Sequence, residues 1–277
     1  MRSIFFDLWN GALDRFGRAL QFLWGGWAGL AALCLLGAVW QAGYERYGDF
    51  ILPPPLNVVL RAFYIVTSAE SWAIAADTAL RATQAFLLSA VVGMVLGIWA
   101  GYSHAVLRLV RPFLTIMLGV PPVAWIVLAM IWFGPADGTV IVTVLVAATP
   151  IMLAGTAEGI LTRDRGLDEM AEVFGAGPLR RFATLGLRQM SAHVFPALVL
   201  ALATGFKVAV MAELLANAGG IGGALADARA NFDIEEALAW VTVSVAILIV
   251  VEYGAVQPLR GELERWKRAA QPWGVKR

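Results

Sequence analysis

Six stretches of about twenty mainly apolar residues, near 22–42, 83–103, 113–133, 138–158, 194–215 and 237–257, constrain this chain more than any other feature. A helix rises about 1.5 Å per residue, so about 20 residues cross the hydrocarbon core of a bilayer. Lipid offers no hydrogen bonds to backbone amides, and a helix satisfies them within one segment. The pattern predicts an all-α polytopic membrane protein with six transmembrane helices. Composition agrees: only 15% of residues are charged, against about 25% in soluble domains. A net charge of +1 supplies no basic face for nucleic acid. Trp24, Trp27, Trp40, Tyr44, Trp240 and Tyr253 sit where interfacial anchors are expected.

Basic residues set the orientation. Sixteen Lys and Arg lie in the N-terminus, the 104–112 turn, the 159–193 loop and the C-terminal tail, against four in the other connections. The positive-inside rule then places both termini and the 159–193 loop in the cytoplasm. Residues 1–21 put Phe5, Leu8, Trp9, Ala12, Phe16 and Leu20 at helical spacing, opposite Asp7, Asn10, Asp14, Arg18 and Gln21. That reads as an amphipathic helix on the cytoplasmic membrane surface, with a partner-binding helix as the alternative. Asp7 and Asp14 interrupt any signal-peptide core. Residues 22–257 form a single transmembrane domain and 258–277 a basic cytoplasmic tail. On the outer side, Leu52-Pro53-Pro54-Pro55-Leu56-Asn57 cannot be helical throughout. Val58 to Ala69 and Trp72 to Ala82 read as two helices resting on the outer face, too polar to cross lipid.

Within the spans, Pro121 and Pro122 fall mid-way along the third and Pro150, after Thr149, mid-way along the fourth. Such prolines free backbone carbonyls and either kink a packed helix or line a transport pathway. Gly93, Gly97 and Gly101 recur every four residues, a surface for close helix approach. Two charges stand in the fifth span, Lys207 near its middle and Glu213 near its external end, with Glu252 in the sixth. Each must face protein or water. Lys207 either offers a positive charge to an anionic substrate or pairs with a carboxylate on another helix. Six residues separate it from Glu213, which points the two to different faces of one helix and argues against a pair within it. Pro121, Pro122, Thr149, Pro150, Lys207 and Glu213 are the candidate pathway residues.

The 159–193 loop carries Arg163, Arg165, Arg180, Arg181 and Arg188. Its segment Asp168, Glu169, Met170, Ala171, Glu172, Val173, Phe174, Gly175, Ala176, Gly177 predicts a short helix stopped by glycine. Met170, Val173 and Phe174 give it an apolar side that either docks in another protein's groove or stays solvated.

At these residues the chain resembles the permease subunits of binding-protein-dependent ABC importers. Their cytoplasmic signature is Glu-Ala-Ala, three residues, Gly, nine residues, Ile, one residue, Leu-Pro. Glu169, Ala171 and Gly175 match at the right spacing, and Leu185 and Leu187 match the apolar positions, whereas Met170 replaces the first alanine and Arg188 stands at the proline. The resemblance covers about residues 40–265 and is nearest the nitrate, sulfonate and taurine type. It runs through Leu52-Pro53-Pro54-Pro55, Val120-Pro121-Pro122-Val123-Ala124-Trp125-Ile126-Val127-Leu128, Trp132-Phe133-Gly134, Thr149-Pro150-Ile151, Met211-Ala212-Glu213-Leu214 and Gly220-Ile221-Gly222. Val127 replaces a proline found in many relatives.

The resemblance implies a type I ABC importer fold like that of methionine permeases. It also implies a coupling helix over 168–177, a second permease copy, two cytoplasmic ABC ATPase subunits that use ATP and Mg, and an external solute-binding protein that delivers a small anionic, nitrate-, sulfonate- or taurine-like, or heteroaromatic solute. The chain itself binds no cofactor on this reading: it has no G-x-x-x-x-G-K-[ST] phosphate loop, and Gly219 to Gly223 reads as an external turn.

Two rival readings are an intramembrane enzyme and a secondary transporter or channel. His104 and His193 lie 89 residues apart with no HExxH or GxSxG motif, and no span carries two aspartates. The one cysteine, Cys34, forms no internal disulfide and packs as a small hydrophobe. A secondary transporter would also use broken helices, but leaves the Glu169 to Gly175 spacing unexplained.

Overall fold

The structure, a computed structural model, describes residues 31–251. They are helical nearly throughout. Helix α1 runs over 31–47, followed by α2 Pro55–Thr67, α3 Ala69–Tyr102, α4 His104–Gly119, α5 Pro122–Phe133, α6 Asp137–Leu161, α7 Arg165–Val173, α8 Pro178–Arg181, α9 Leu187–Ala216, α10 Gly220–Ala230 and α11 Ile234–Val251. A five-residue π turn, Phe182–Gly186, joins α8 to α9 without a break. The chain divides into a unit ending at Arg61 and a second beginning at Ala62. In the first, Trp40 Nε1 donates to the Pro53 carbonyl at 3.0 Å. The connector is non-helical only as far as Pro54; Pro55 opens α2, since its missing amide hydrogen is unneeded in a first turn.

The second unit is built around α6. Every fully buried residue of α3 is small: Thr78, Ala82, Ala85, Ser89, Ala90, Gly93, Gly97 and Ala100. Its large side chains, Leu80, Leu87, Val91, Val95 and Trp99, point outward and are more than half exposed. A soluble helix would bury the large residues. The inverted pattern is that of a helix whose surroundings are lipid and whose backbone approaches a neighbour closely. The neighbour is α6, and the register repeats every four residues. A Cβ on Gly93 would stand 2.5 Å from Met152 Cβ, one on Gly97 2.6 Å from Thr156 Cβ, and one on Gly101 2.5 Å from Ile160 Cβ. Both sets ascend together, so α3 and α6 are parallel. On the other side of α6, Gly155 faces Ala197 and Gly159 faces Met190, an antiparallel seam with α9. The glycine series is therefore a packing surface, as expected.

Among the described residues, three helices are long and apolar enough to cross a membrane: α3, α6 and the run Pro178–Ala216. The bent pair α4 and α5 makes four if it is one span. The first and last expected spans extend beyond the described residues, as do the 1–21 helix, the 258–277 tail and Glu252.

Three expectations are corrected. Trp72 to Ala82 is not a separate outer helix, because α3 runs unbroken from Ala69; its polar residues project beyond the apolar span of the same helix. The 113–133 span is not one helix. Val120 and Pro121 leave helical geometry and α4 meets α5 at 96°, because two successive prolines remove two donors and push Val120 and Pro121 into extended conformations. Pro150, by contrast, leaves α6 continuous. Gly219 to Gly223 is only partly a turn, since Gly220 starts α10.

Candidate functional site

At one end of the α3–α6–α9 core lies the loop helix α7. Asp164 caps it, its Oδ1 accepting from the Gly166 amide at 2.9 Å and the Leu167 amide at 3.4 Å. It closes in a Schellman turn, with the Gly175 amide donating to the Glu172 carbonyl and the Ala176 amide to the Ala171 carbonyl, both at 2.9 Å. Gly175 has φ +77°, which a side chain at this position would strain. The helix proper is thus 165–173, starting three residues earlier than the 168–177 segment, whose last residues form the turn.

Ion pairs tie this element to the spans. Arg163 Nε lies 2.8 Å from Asp168 Oδ2, and its guanidinium stacks 4.4 Å from the centroid of the Tyr102 ring at the end of α3. Arg181 Nη1 pairs with Glu172 Oε2 at 2.5 Å. Gln189 Oε1 accepts from the Asp164 amide at 2.6 Å, binding the start of α7 to the start of α9. Tyr102, Arg163 and Gln189 carry no motif that singles them out in the sequence. The outer side of α7 is apolar and uncovered: Val173 is 86% exposed and Phe174 83%. Met170, Glu169 and Leu179 are exposed beside them. Arg188, at the position usually held by proline, continues a helix that needs no turn there.

At the opposite end, Glu213 is wholly buried. Its Oε2 accepts from Thr78 Oγ1 at 2.8 Å and the Gly222 amide at 3.1 Å, and its Oε1 from Arg81 Nη1 at 3.1 Å. Thr78 Oγ1 in turn accepts from the Ile221 amide at 2.8 Å, and Arg81 Nε reaches Asp137 Oδ1 at 2.8 Å. Two amides that the first turn of α10 leaves without intrahelical partners are satisfied in this way, with a carboxylate at the positive end of the helix. Gly222 fits because a Cβ there would press into Glu213 Cβ, and Gly220 because its φ is +68°. The motifs at 211–214 and 220–222 are therefore one structural node joining α3, α6, α9 and α10. Arg81 and Thr78 were missed as site residues, lying in a segment read as a surface helix.

The remaining pathway candidates separate. Thr149 and Pro150 are buried, and the Thr149 carbonyl lies against Gly93 of α3. Pro121 is exposed and Pro122 half-buried at the α4–α5 break. Lys207 lies on the outer face of α9, exposed. No carboxylate among the described residues pairs with it, so the ion-pair alternative has no described partner. A lysine at mid-span costs about 2.5–3.5 kcal/mol by insertion scales.

A helical core with small residues inside, a broken helix pair, and a solvent-exposed loop helix tied to the spans are the architecture of a membrane transport permease. Residues 93–255 match the family of binding-protein-dependent transport system inner membrane components, and the chain belongs to it. It is similar to the taurine transport system permease protein of Escherichia coli, 25% identical over 87% of this chain and 90% of that one. It is also similar to the nitrate import permease protein of Synechococcus elongatus, 26% identical over 67% of this chain and 70% of that one. Among solved structures, the inward-facing methionine ABC transporter matches with a TM-score of 0.55, 18% identity, and coverage of 74% of this chain and 100% of that one. The type I importer permease fold follows from that match, and a multi-pass location in the inner membrane from the family.

Proposed function

We propose that the chain is the pathway-forming half of an ATP-driven importer and moves a small anionic solute by alternating access. Two copies pair, two cytoplasmic ATPase subunits bind beneath them and use ATP and Mg, and an external binding protein delivers the solute. In this reading the chain crosses the membrane six times, with both termini and α7 in the cytoplasm, as the distribution of basic residues favours. ATP hydrolysis belongs wholly to the partner subunits.

The observation that carries the reading is the coupling element. A helix capped at both ends presents Met170, Val173 and Phe174 to solvent, a short apolar ridge of the kind that seats in another protein's groove. Arg163, Asp164 and Glu172 connect it to α3, α9 and α8, so a displacement of α7 is delivered to the spans. The broken pair at Pro121 and Pro122 supplies a hinge beside the path. Thr149, Pro150 and Glu213 support the path through packing. The taurine and nitrate names of relatives, with that of a bicarbonate transport permease protein of Synechococcus elongatus, 24% identical over 67% of this chain and 64% of that one, favour an anionic cargo.

The test is co-purification. The chain is expected to bring down an ATPase subunit, and Glu169→Ala or Phe174→Asp to reduce the yield of that subunit with the chain still folded. Solute uptake by the purified chain alone, with no ATPase present, would refute the proposal.

A further inference from the structure

The side of α7 turned away from its apolar ridge borders a cavity. At about 100° per residue, Met170, Val173 and Phe174 lie about 120–160° round the helix from Asp168, whereas Glu172 stands one turn on from Asp168, on the same side. Each of these carboxylates holds an arginine: Asp168 pairs with Arg163 of the α6–α7 turn and Glu172 with Arg181 of α8. The two arginine side chains are 23% and 24% exposed, and both line a cavity of about 540 Å³ between the end of α3, α7 and α8. That volume lies within the roughly 300–1,000 Å³ of small-molecule sites.

The pairs leave most of the guanidinium donors free. An arginine carries five N–H groups, and Glu172 takes one from Arg181. Arg163 Nε lies 2.8 Å from Asp168 Oδ2 but out of line for a hydrogen bond, and is buried without another acceptor among the described residues. The Tyr102 ring covers the flat face of that guanidinium, which fixes its plane and accepts none of its edge donors. Asp168 also lines the cavity, and its charge is matched by Arg163. The rest of the wall is apolar, with Ile98, Leu179 and Phe182. Two charged forks thus stand beside a hydrocarbon surface. Their depth is set by α3, whose outward residues Leu87, Val91, Val95 and Trp99 are more than half exposed up to Tyr102. Polar Ser103 and His104 follow. A Trp and a Tyr at that point mark the headgroup level.

We infer that this cavity seats the headgroup of an anionic phospholipid from the cytoplasmic leaflet, with Arg163 and Arg181 on its phosphate oxygens and Ile98, Leu179 and Phe182 against the start of its acyl chain. Planar guanidinium forks match phosphate oxygens bidentately, and basic pockets at the cytoplasmic ends of transmembrane helices take acidic headgroups. An inorganic anion would leave the apolar wall wet. A zwitterionic lipid would bring a third cation to two arginines. The ATPase subunit is not the occupant in this geometry, because the ridge offered to it lies on the opposite side of α7. The inference rests on the importer reading only for the cytoplasmic placement of α7, and adds a lipid that joins the end of α3 to α7 and α8.

The test is native mass spectrometry of the full chain in a neutral detergent, with dioleoyl phosphatidylglycerol or dioleoyl phosphatidylcholine added and the affinity of the first bound lipid read out. The glycerol lipid is expected to bind about tenfold more tightly than the choline lipid, and Arg181→Gln to remove that advantage, the worth of one charge-assisted hydrogen bond. Arg180→Gln removes the same charge one residue away, at an exposed position outside the cavity wall, and is expected to leave the affinity unchanged. Arg181→Lys keeps the charge and the Glu172 pair but not the fork; it is expected to fall between the two, and serves should Arg181→Gln not fold. The inference is overturned if the two lipids bind alike, as they would were the cavity filled by another part of the chain. It is also overturned if Arg180→Gln and Arg181→Gln weaken binding equally, or if millimolar inorganic phosphate displaces the glycerol lipid, which would make the site one for a free anion. ATPase co-purification without lipid discrimination would remove the lipid site and leave the importer reading standing; discrimination without a bound ATPase would do the reverse.

Discussion

Replacing Gly97 with alanine tests the central seam of the fold. A Cβ at 97 would sit 2.6 Å from Thr156 Cβ, 2.8 Å from the Leu153 carbonyl oxygen and 3.0 Å from Thr156 Cγ2. Ordinary contact lies near 3.5–4 Å, so α3 and α6 must part by about 1 Å. No rotamer relieves this, because two of the three obstacles are a backbone oxygen and a Cβ. Overpacking of this kind costs about 1–3 kcal/mol, while the greater helix propensity of alanine returns up to about 1 kcal/mol. Gly119→Ala provides the control, since a Cβ there meets nothing within 4 Å. The two variants are expected to differ by about 1–3 kcal/mol, or several degrees at roughly 2–4 °C per kcal/mol for a chain of this size. The assay is thermal loss of the monodisperse peak of detergent-purified protein. Pairing Gly97→Ala with Thr156→Gly should recover part of the loss, because the methyl group then moves into the space vacated across the seam. A Gly97→Ala protein that melts with or above Gly119→Ala would refute the parallel, four-residue register of α3 on α6.

Three further outcomes follow from the two ends of the core. Glu213→Ala leaves Arg81, Thr78 and the Gly222 amide without their shared acceptor, and is expected to cost about 3–5 kcal/mol; the same melting assay checks it, and an unchanged midpoint would remove the node from the structure's supports. Gly175→Ala forces a side chain into φ +77°, at about 1–2 kcal/mol. It should raise amide exchange across 165–176 and lower ATPase co-purification, with the melting of the spans unaffected. Asp164→Ala deletes the cap of α7 at about 0.5–2 kcal/mol, seen as faster exchange at Gly166 and Leu167, whereas Asp164→Asn retains it.

The membrane class, the glycine seam and the loop helix were all legible in the sequence, because each depends on local pattern: apolar length, a four-residue glycine repeat, and a helix stopped by Gly175. What distance along the chain concealed was pairing. Thr78 and Arg81 precede Glu213 by more than 130 residues, and their polarity suggested a surface helix until α3 carried them to the end of α9. Prolines were ambiguous for a related reason. Pro121 and Pro122 break their helix by 96°, while Pro150 does not bend α6 out of helix, because α3 and α9 clamp it on both sides.

Sequence by itself determined the surroundings of this protein, since only lipid tolerates so many large apolar side chains and only helices carry a backbone through it. It also pointed Lys207 and Glu213 to different faces of one helix. Tertiary structure alone decided their different environments: Glu213 is enclosed by donors from α3 and α10, and Lys207 stands open on the far side of the same helix. The reason is physical: a charge in a span must find a partner or water, and which one it finds depends on what packs against that face.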